Sequence, residues 1–142
     1  MKRAIEQALL CKIDVPVGAI IVKNGQIIGY GHNQKEELQD VTAHAEILAI
    51  REAQKNLGSW HLDDCDMYVT LEPCPMCGWA IIQSRIKNLY FGAYDLSYGA
   101  FSSGVELNKL GNSSLKIYGG IEEEACKKIL DEFFQKIRKL SN

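Results

Sequence analysis

Residues 15–22, VPVGAIIV, are apolar without a break and open on Pro16, the pattern of a strand buried on both faces. KNGQ at 23–26 supplies Asn24-Gly25, a dipeptide suited to a tight hairpin turn, and IIGYGHN at 27–33 returns as a second strand. Ahead of the hairpin, residues 3–11 place Ala4, Ile5, Ala8 and Leu9 on one stripe of a short amphipathic helix. QKEELQD, 34–40, is polar and is predicted to be a loop. A helix is predicted from Thr42 to Asn56, with Gly58 as its stop.

The second half continues the alternation. CDMYVTL, 65–71, reads as a third strand, followed by a helix that opens at Cys74–Cys77 and ends near Gln83–Arg85. NLYFGA, 88–93, is a fourth strand, DLSYGAFSSG a Gly/Ser-rich loop, and LKIYGG, 115–120, a short fifth strand. The last helix, Ile121 to about Leu140, carries Ile121, Ala125, Cys126, Ile129, Leu130, Phe133, Phe134, Ile137 and Leu140 on one broad stripe, which is expected to be core. Helices joining the later strands predict an α/β fold: a three-layer α/β/α sandwich around a central mixed five-stranded sheet. Trp60 and His61, between helix and third strand, are expected to pack at the core's edge, and Trp79 in the core or at a dimer interface.

Composition narrows this picture. A chain of 142 residues with 46% hydrophobic and 24% charged positions suits one folded domain over 1–142. The net charge of −2 argues against a globally basic nucleic-acid binder, so any such contact needs a local basic surface. No apolar run approaches the ~18 residues of a membrane span. MKRAIEQALL is interrupted by Glu6 and Gln7 before an apolar signal core forms, which predicts a cytoplasmic protein. Five cysteines without regular spacing fit a reducing compartment, where C-x-x-C more often means metal or redox chemistry than a structural bridge.

The chemistry concentrates in TLEPCPMCGWA, 70–80. Cys74 and Cys77 alone could be a disulfide, a redox pair or part of a zinc site. His44 and Glu46, in TAHAEILAI, change the balance. Both the histidine and the cysteines fall in the first turn of a predicted helix, where Pro73 or Pro75 is tolerated and the positive end of the helix favours thiolate and carboxylate. His44, Cys74 and Cys77 give three ligands and leave one position for water, with Glu46 beside it as proton carrier. H-x-E at one helix start with P-C-x-x-C at the next matches the signature of zinc nucleobase deaminases. A zinc-stabilised interaction module with four closed ligands stays open as a rival.

VPVGAIIV, GHN, TAHAEILAI, MYVTLEPCPMCGWAI, SRI, FGAYD and DEFFQKIRK span residues 15–139. Together they resemble the bacterial tRNA-specific adenosine deaminases of the cytidine deaminase-like superfamily. The resemblance implies a single zinc deaminase domain that converts adenosine to inosine at the tRNA wobble position. It implies one Zn2+ per subunit held by His44, Cys74 and Cys77, with Glu46 as proton shuttle and Asn33 hydrogen-bonding the flipped base. It also implies a homodimer with the tRNA anticodon stem-loop crossing both subunits. Lys136, Arg138 and Lys139, in a tail ending at Asn142, are the candidate RNA contacts. Relative to that family, the first helix is expected to start close to Met1 and the basic tail to be short. A deaminase of a free base or nucleoside, guanine or cytosine, shares every zinc residue and is the alternative.

Overall fold

The computed structural model describes residues 1–141; Asn142, the last residue of the expected tail, lies outside the described residues. Five strands form one sheet in the order β2-β1-β3-β4-β5. They are β1 (Gly18–Lys23), β2 (Gln26–His32), β3 (Cys65–Leu71), β4 (Asn88–Ala93) and β5 (Lys116–Tyr118). β1 runs antiparallel to β2 and β3, while β3, β4 and β5 are parallel, so the sheet is mixed as expected. The Asn24-Gly25 turn has both residues at positive φ, 50° and 76°, the geometry whose twist suits a two-residue hairpin. β2 carries one extra residue opposite Ile21/Val22, a bulge that bends the strand.

Helices α1 (Lys2–Ala8), α2 (Lys35–Leu38), α3 (Ala45–Leu57), α4 (Pro75–Gln83) and α5 (Glu123–Leu140) complete the chain. α3 and α4 cover the sheet face that carries Ala19, Ile21, Met67, Val69, Leu89 and Phe91, where the main core lies. α1 and α5 cover the other, giving three layers. α3 lies unusually close to β2, because a Cβ on Gly31 would strike the Ala45 carbonyl and one on Gly29 the Ala49 carbonyl. This approach lets α3 seal the outer edge of β2: the Tyr30 N–H donates to Glu52 Oε1 (3.3 Å) and Asn56 Nδ2 donates to the Ile28 carbonyl (2.8 Å).

The departures from expectation have local causes. α1 stops at Ala8, where the Leu10 and Cys11 N–H groups turn back to the Gln7 and Ala8 carbonyls, and Leu9 and Leu10 are exposed, not packed. The loop 34–40 contains α2, whose Glu36 and Glu37 N–H groups donate to the Asp14 carboxylate, a partner more than twenty positions away. α3 starts at Ala45, not Thr42, because Asp40 Oδ1 accepts from both the Thr42 N–H and its hydroxyl, holding 40–43 in a turn. A short 3₁₀ stretch at Leu107–Asn112 carried no periodic signal.

The α5 stripe is a correction. Cys126 is buried and Ile121, Ile129, Leu130 and Phe133 are half-buried, but Ala125, Phe134, Ile137 and Leu140 are exposed. The helix overruns the sheet, so its second half has no core to enter. Trp60 is exposed as well, its ring under the Arg85 guanidinium at 5.5 Å, instead of packing at the core's edge.

Candidate active site

Antiparallel and parallel pairing bring the start of β1 and the ends of β2, β3 and β4 to one edge of the sheet. Parallel strands commonly place their ligands at this carboxyl edge. Three short segments emerge there: Asn33 after β2, Glu72–Cys74 after β3, and the 94–104 loop after β4. The helices α3 and α4 start at the same edge.

His44 is the N-cap residue of α3 and Cys74 the N-cap of α4, with Pro75 at the first helical position. Cys77 follows in the first turn and is fully buried. His44 Nδ1 lies 3.7 Å from Cys74 Sγ and 3.4 Å from Cys77 Sγ. The three donor atoms lie within 4.8 Å of one another and form the one such cluster among the described residues. The structure brings the three ligand candidates of the sequence together, and no fourth donor of the described residues joins them.

Charge and proton sharing show what this cluster can hold. The Cys77 thiol donating to Cys74, with the His44 imidazole beside it, brings the Cys74 sulfur down to about 4. The same shared proton, together with burial, pushes Cys77 far up. The Cys74 sulfur in turn raises His44. Two soft sulfurs and one imidazole nitrogen around one point, at the positive ends of two helices, fit a tetrahedral divalent metal such as zinc with one position open. The bound cation would take the place of the shared proton.

Glu46, in the first turn of α3, is 4% exposed. Burial pushes its carboxyl up to about 7, the Cys74 charge adds to that rise, and its own backbone N–H and the His44 imidazole oppose it. It lines a cavity of about 330 Å³ together with Val15, Val17, Asn33, Leu71 and Cys74. That cavity shares Asn33, His44, Leu71, Asp95 and Tyr98 with an outer one of about 550 Å³, whose rim includes Lys35, Tyr94, Leu130 and Phe134.

Asn33 is held at both ends of its side-chain amide. Its Nδ2 donates to the Val15 carbonyl (3.0 Å), and its Oδ1 accepts from the Ala45 N–H (2.8 Å) at the start of α3. One amide hydrogen and one lone pair stay available toward the cavity. Lys136, Arg138 and Lys139 are exposed on the last turns of α5 and line neither cavity.

Sequence reasoning missed two groups. Lys35 was read as part of a polar loop, yet among the described residues lining the two cavities it carries the one ammonium or guanidinium group. Glu72 lies inside the quoted motif but drew no attention, although it is 2% exposed and lines the inner cavity. A charged residue between Leu71 and Pro73 in an otherwise apolar strand end was the available signal.

A family model of MafB19-like deaminases matches residues 2–138. The tRNA-specific adenosine deaminase of Bacillus subtilis (strain 168) is 44% identical over 145 residues, covering 98% of this chain and 89% of that protein. A solved structure from a study of A-to-I editing by tRNA:A34 deaminases superposes with a TM-score of 0.88 at 42% identity, over 92% of this chain and 97% of that one. A guanine deaminase from Bacillus subtilis matches with a TM-score of 0.63 at 47% identity, over 66% of this chain and 61% of that one. Fold and donor set therefore describe a deaminase of the cytidine deaminase-like architecture. The chain belongs to the MafB19-like deaminases and to the family of tRNA-specific adenosine deaminases.

Proposed function

We propose that this protein is a zinc-dependent enzyme that hydrolyses adenosine to inosine and ammonia at the wobble position of tRNA. The observation that carries the reading is a buried carboxyl, Glu46, beside a His/Cys/Cys cluster at the floor of a base-sized cavity. His44 Nδ1 and the sulfurs of Cys74 and Cys77 would hold one Zn2+ per subunit. When bound, the metal supplies Lewis acidity that makes a water proton removable near neutral pH.

Glu46 takes that proton and passes it to N1 of the base, which makes C6 electrophilic enough for attack by the water oxygen. Glu46 then takes the second proton of that oxygen and gives it to the amino group, so the C6–N bond breaks, ammonia leaves and C6 keeps the oxygen. A buried carboxyl beside the open metal position can accept and donate a proton, and such transfer typically contributes about 10²–10⁴-fold. Asn33 offers its spare donor and acceptor to the base edge. Val15, Val17 and Leu71 supply apolar walls that exclude bulk water.

The tRNA anticodon stem-loop is the partner in this reading. The exposed Phe134 at the outer rim supports it, as do the cations Lys136, Arg138 and Lys139 beyond, which suit base stacking and phosphate contact. Residues 1–142 act as one domain, which the single core from Val17 to Leu130 supports. A homodimer is part of the proposal, and Met76 and Trp79, exposed on α4, are the apolar surface that supports it. The enzyme is assigned to the cytoplasm; no helix of the described residues is long and apolar enough to cross a membrane.

The likeness to guanine deaminase makes guanine the second reading. Incubation with an anticodon stem-loop bearing wobble adenosine, and separately with guanine, tests both. Inosine in the stem-loop is the expected product; ammonia from guanine alone would reject the first reading.

A further inference from the structure

We propose that Glu72 is a positioning residue for the reaction: its buried carboxylate ties the turn that carries Cys74 to the 95–102 loop, and so fixes the Asp95–Tyr98 wall of the base cavity. The inference rests on the reading above that this cavity takes the substrate base.

Three donors from one loop converge on this anion. The Asp95 N–H (3.1 Å) and the Ser102 hydroxyl (2.6 Å) donate to Oε1, and the Phe101 N–H (3.1 Å) donates to Oε2. Gly99 is required at the crown of the loop, because a Cβ there would run into the carboxylate. The flanking backbone adds two bonds: the Glu72 N–H donates to the Ala93 carbonyl (2.8 Å) and the Ala100 N–H to the Pro73 carbonyl (2.9 Å). Among the described residues no cation pairs with Glu72. A carboxylate 2% exposed persists only when charge-assisted hydrogen bonds replace its water, and here the loop provides all of them.

The geometry separates its role from that of Glu46. Both Glu72 oxygens are taken by the loop, so it carries no proton in the reaction. Asp95, which it grips directly, and Tyr98, three and four positions before Phe101 and Ser102, line both cavities. Loss of the grip leaves the metal cluster and Glu46 intact but lets that wall move. The cost falls on substrate binding, not on the chemical step.

Two variants test this. Ser102→Ala removes one donor from the loop and leaves the strand and Cys74 untouched. Glu72→Gln keeps the side chain's size but turns one acceptor oxygen into a donor that faces donors. KM and kcat are measured on whichever of the stem-loop and guanine the wild-type protein turns over, with metal content and amide hydrogen exchange alongside. Ser102→Ala is expected to raise KM several-fold and Glu72→Gln about 10- to 100-fold, with kcat and metal content near wild type. Faster exchange at the Asp95 and Phe101 amides should accompany this. Glu72→Asp, which restores two acceptor oxygens, is expected to recover part of the KM, and Ser102→Ala to add little in the Glu72→Gln background.

A wild-type KM in Ser102→Ala and Glu72→Gln, or a fall in kcat or metal content without a rise in KM, overturns the proposal. So does faster exchange of the loop amides with KM unmoved. Failure of the wild-type protein on the stem-loop rejects the tRNA reading instead, and the two failures are thereby distinct.

Discussion

The backbone N–H of Ala45 donates to Oδ1 of Asn33 at 2.8 Å, so the residue that follows the metal-ligand candidate His44 is fastened to the end of β2. One side chain thus fills a free donor at the start of α3 and sets where the imidazole stands. Asn33→Ala is expected to lower stability by about 1–2 kcal/mol, since it leaves the Ala45 N–H and the Val15 carbonyl without partners. Activity should fall further than stability if the spare amide groups also touch the base. Thermal unfolding with steady-state kinetics on Asn33→Ala and Asn33→Asp checks this. Aspartate keeps the acceptor for Ala45 but sets an oxygen against the Val15 carbonyl, so it should recover only part of the stability and none of the turnover.

Glu46→Gln should keep the metal and lose about 10²–10⁴-fold in kcat, because it retains shape and removes proton transfer. It also has a stability signature in the metal-free protein. Between its ordinary 4.5 and about 7, the folded state keeps a proton on Glu46 that the unfolded chain releases. That stabilising contribution is complete below 4.5 and is lost as pH rises through about 7. Glutamine never ionises, so the metal-free variant should exceed metal-free wild type at pH 8 by on the order of 3 kcal/mol and match it near pH 4. Equal stabilities at pH 8 would contradict the buried carboxyl.

Zinc added to metal-free protein is expected to raise the unfolding midpoint, by about 2.7 kcal/mol of stability at a free concentration a hundredfold above its dissociation constant. His44→Ala, Cys74→Ala and Cys77→Ala should each abolish the rise. The absorption of cobalt-substituted protein should report two sulfur donors; four sulfurs, or a full zinc response in Cys77→Ala, would point to a different ligand set.

Lys35→Ala should raise KM for the stem-loop and reduce the salt slope of binding by about 1, the signature of one lost phosphate contact. Lys136→Ala, Arg138→Ala and Lys139→Ala test the tail in the same titration. A cation whose removal leaves the slope unchanged makes no such contact.

Much of this was legible in the sequence because it is written locally. Asn24-Gly25, the H-x-E and P-C-x-x-C spacings and Gly58 each act on their own neighbours, and each stands where the pattern put it. What the sequence concealed depends on partners distant along the chain. Asp14 starts a helix at 35–38, and Glu72 organises a loop about thirty positions on. The exposed second half of α5 was concealed for another reason. Periodicity reports that a helix has an apolar stripe, not whether the sheet beneath it is long enough to cover that stripe.

The bonds from Glu52 and Asn56 onto β2 bear on how the protein behaves when crowded. An open strand edge is a template on which other chains can stack. At one rim of this sheet the Tyr30 amide and the Ile28 carbonyl are already engaged, and at the other β5 offers only three residues. Self-association by strand addition therefore has little to build on, and replacing Glu52 and Asn56 by alanine should surface as fibril formation or slow precipitation before any change in turnover.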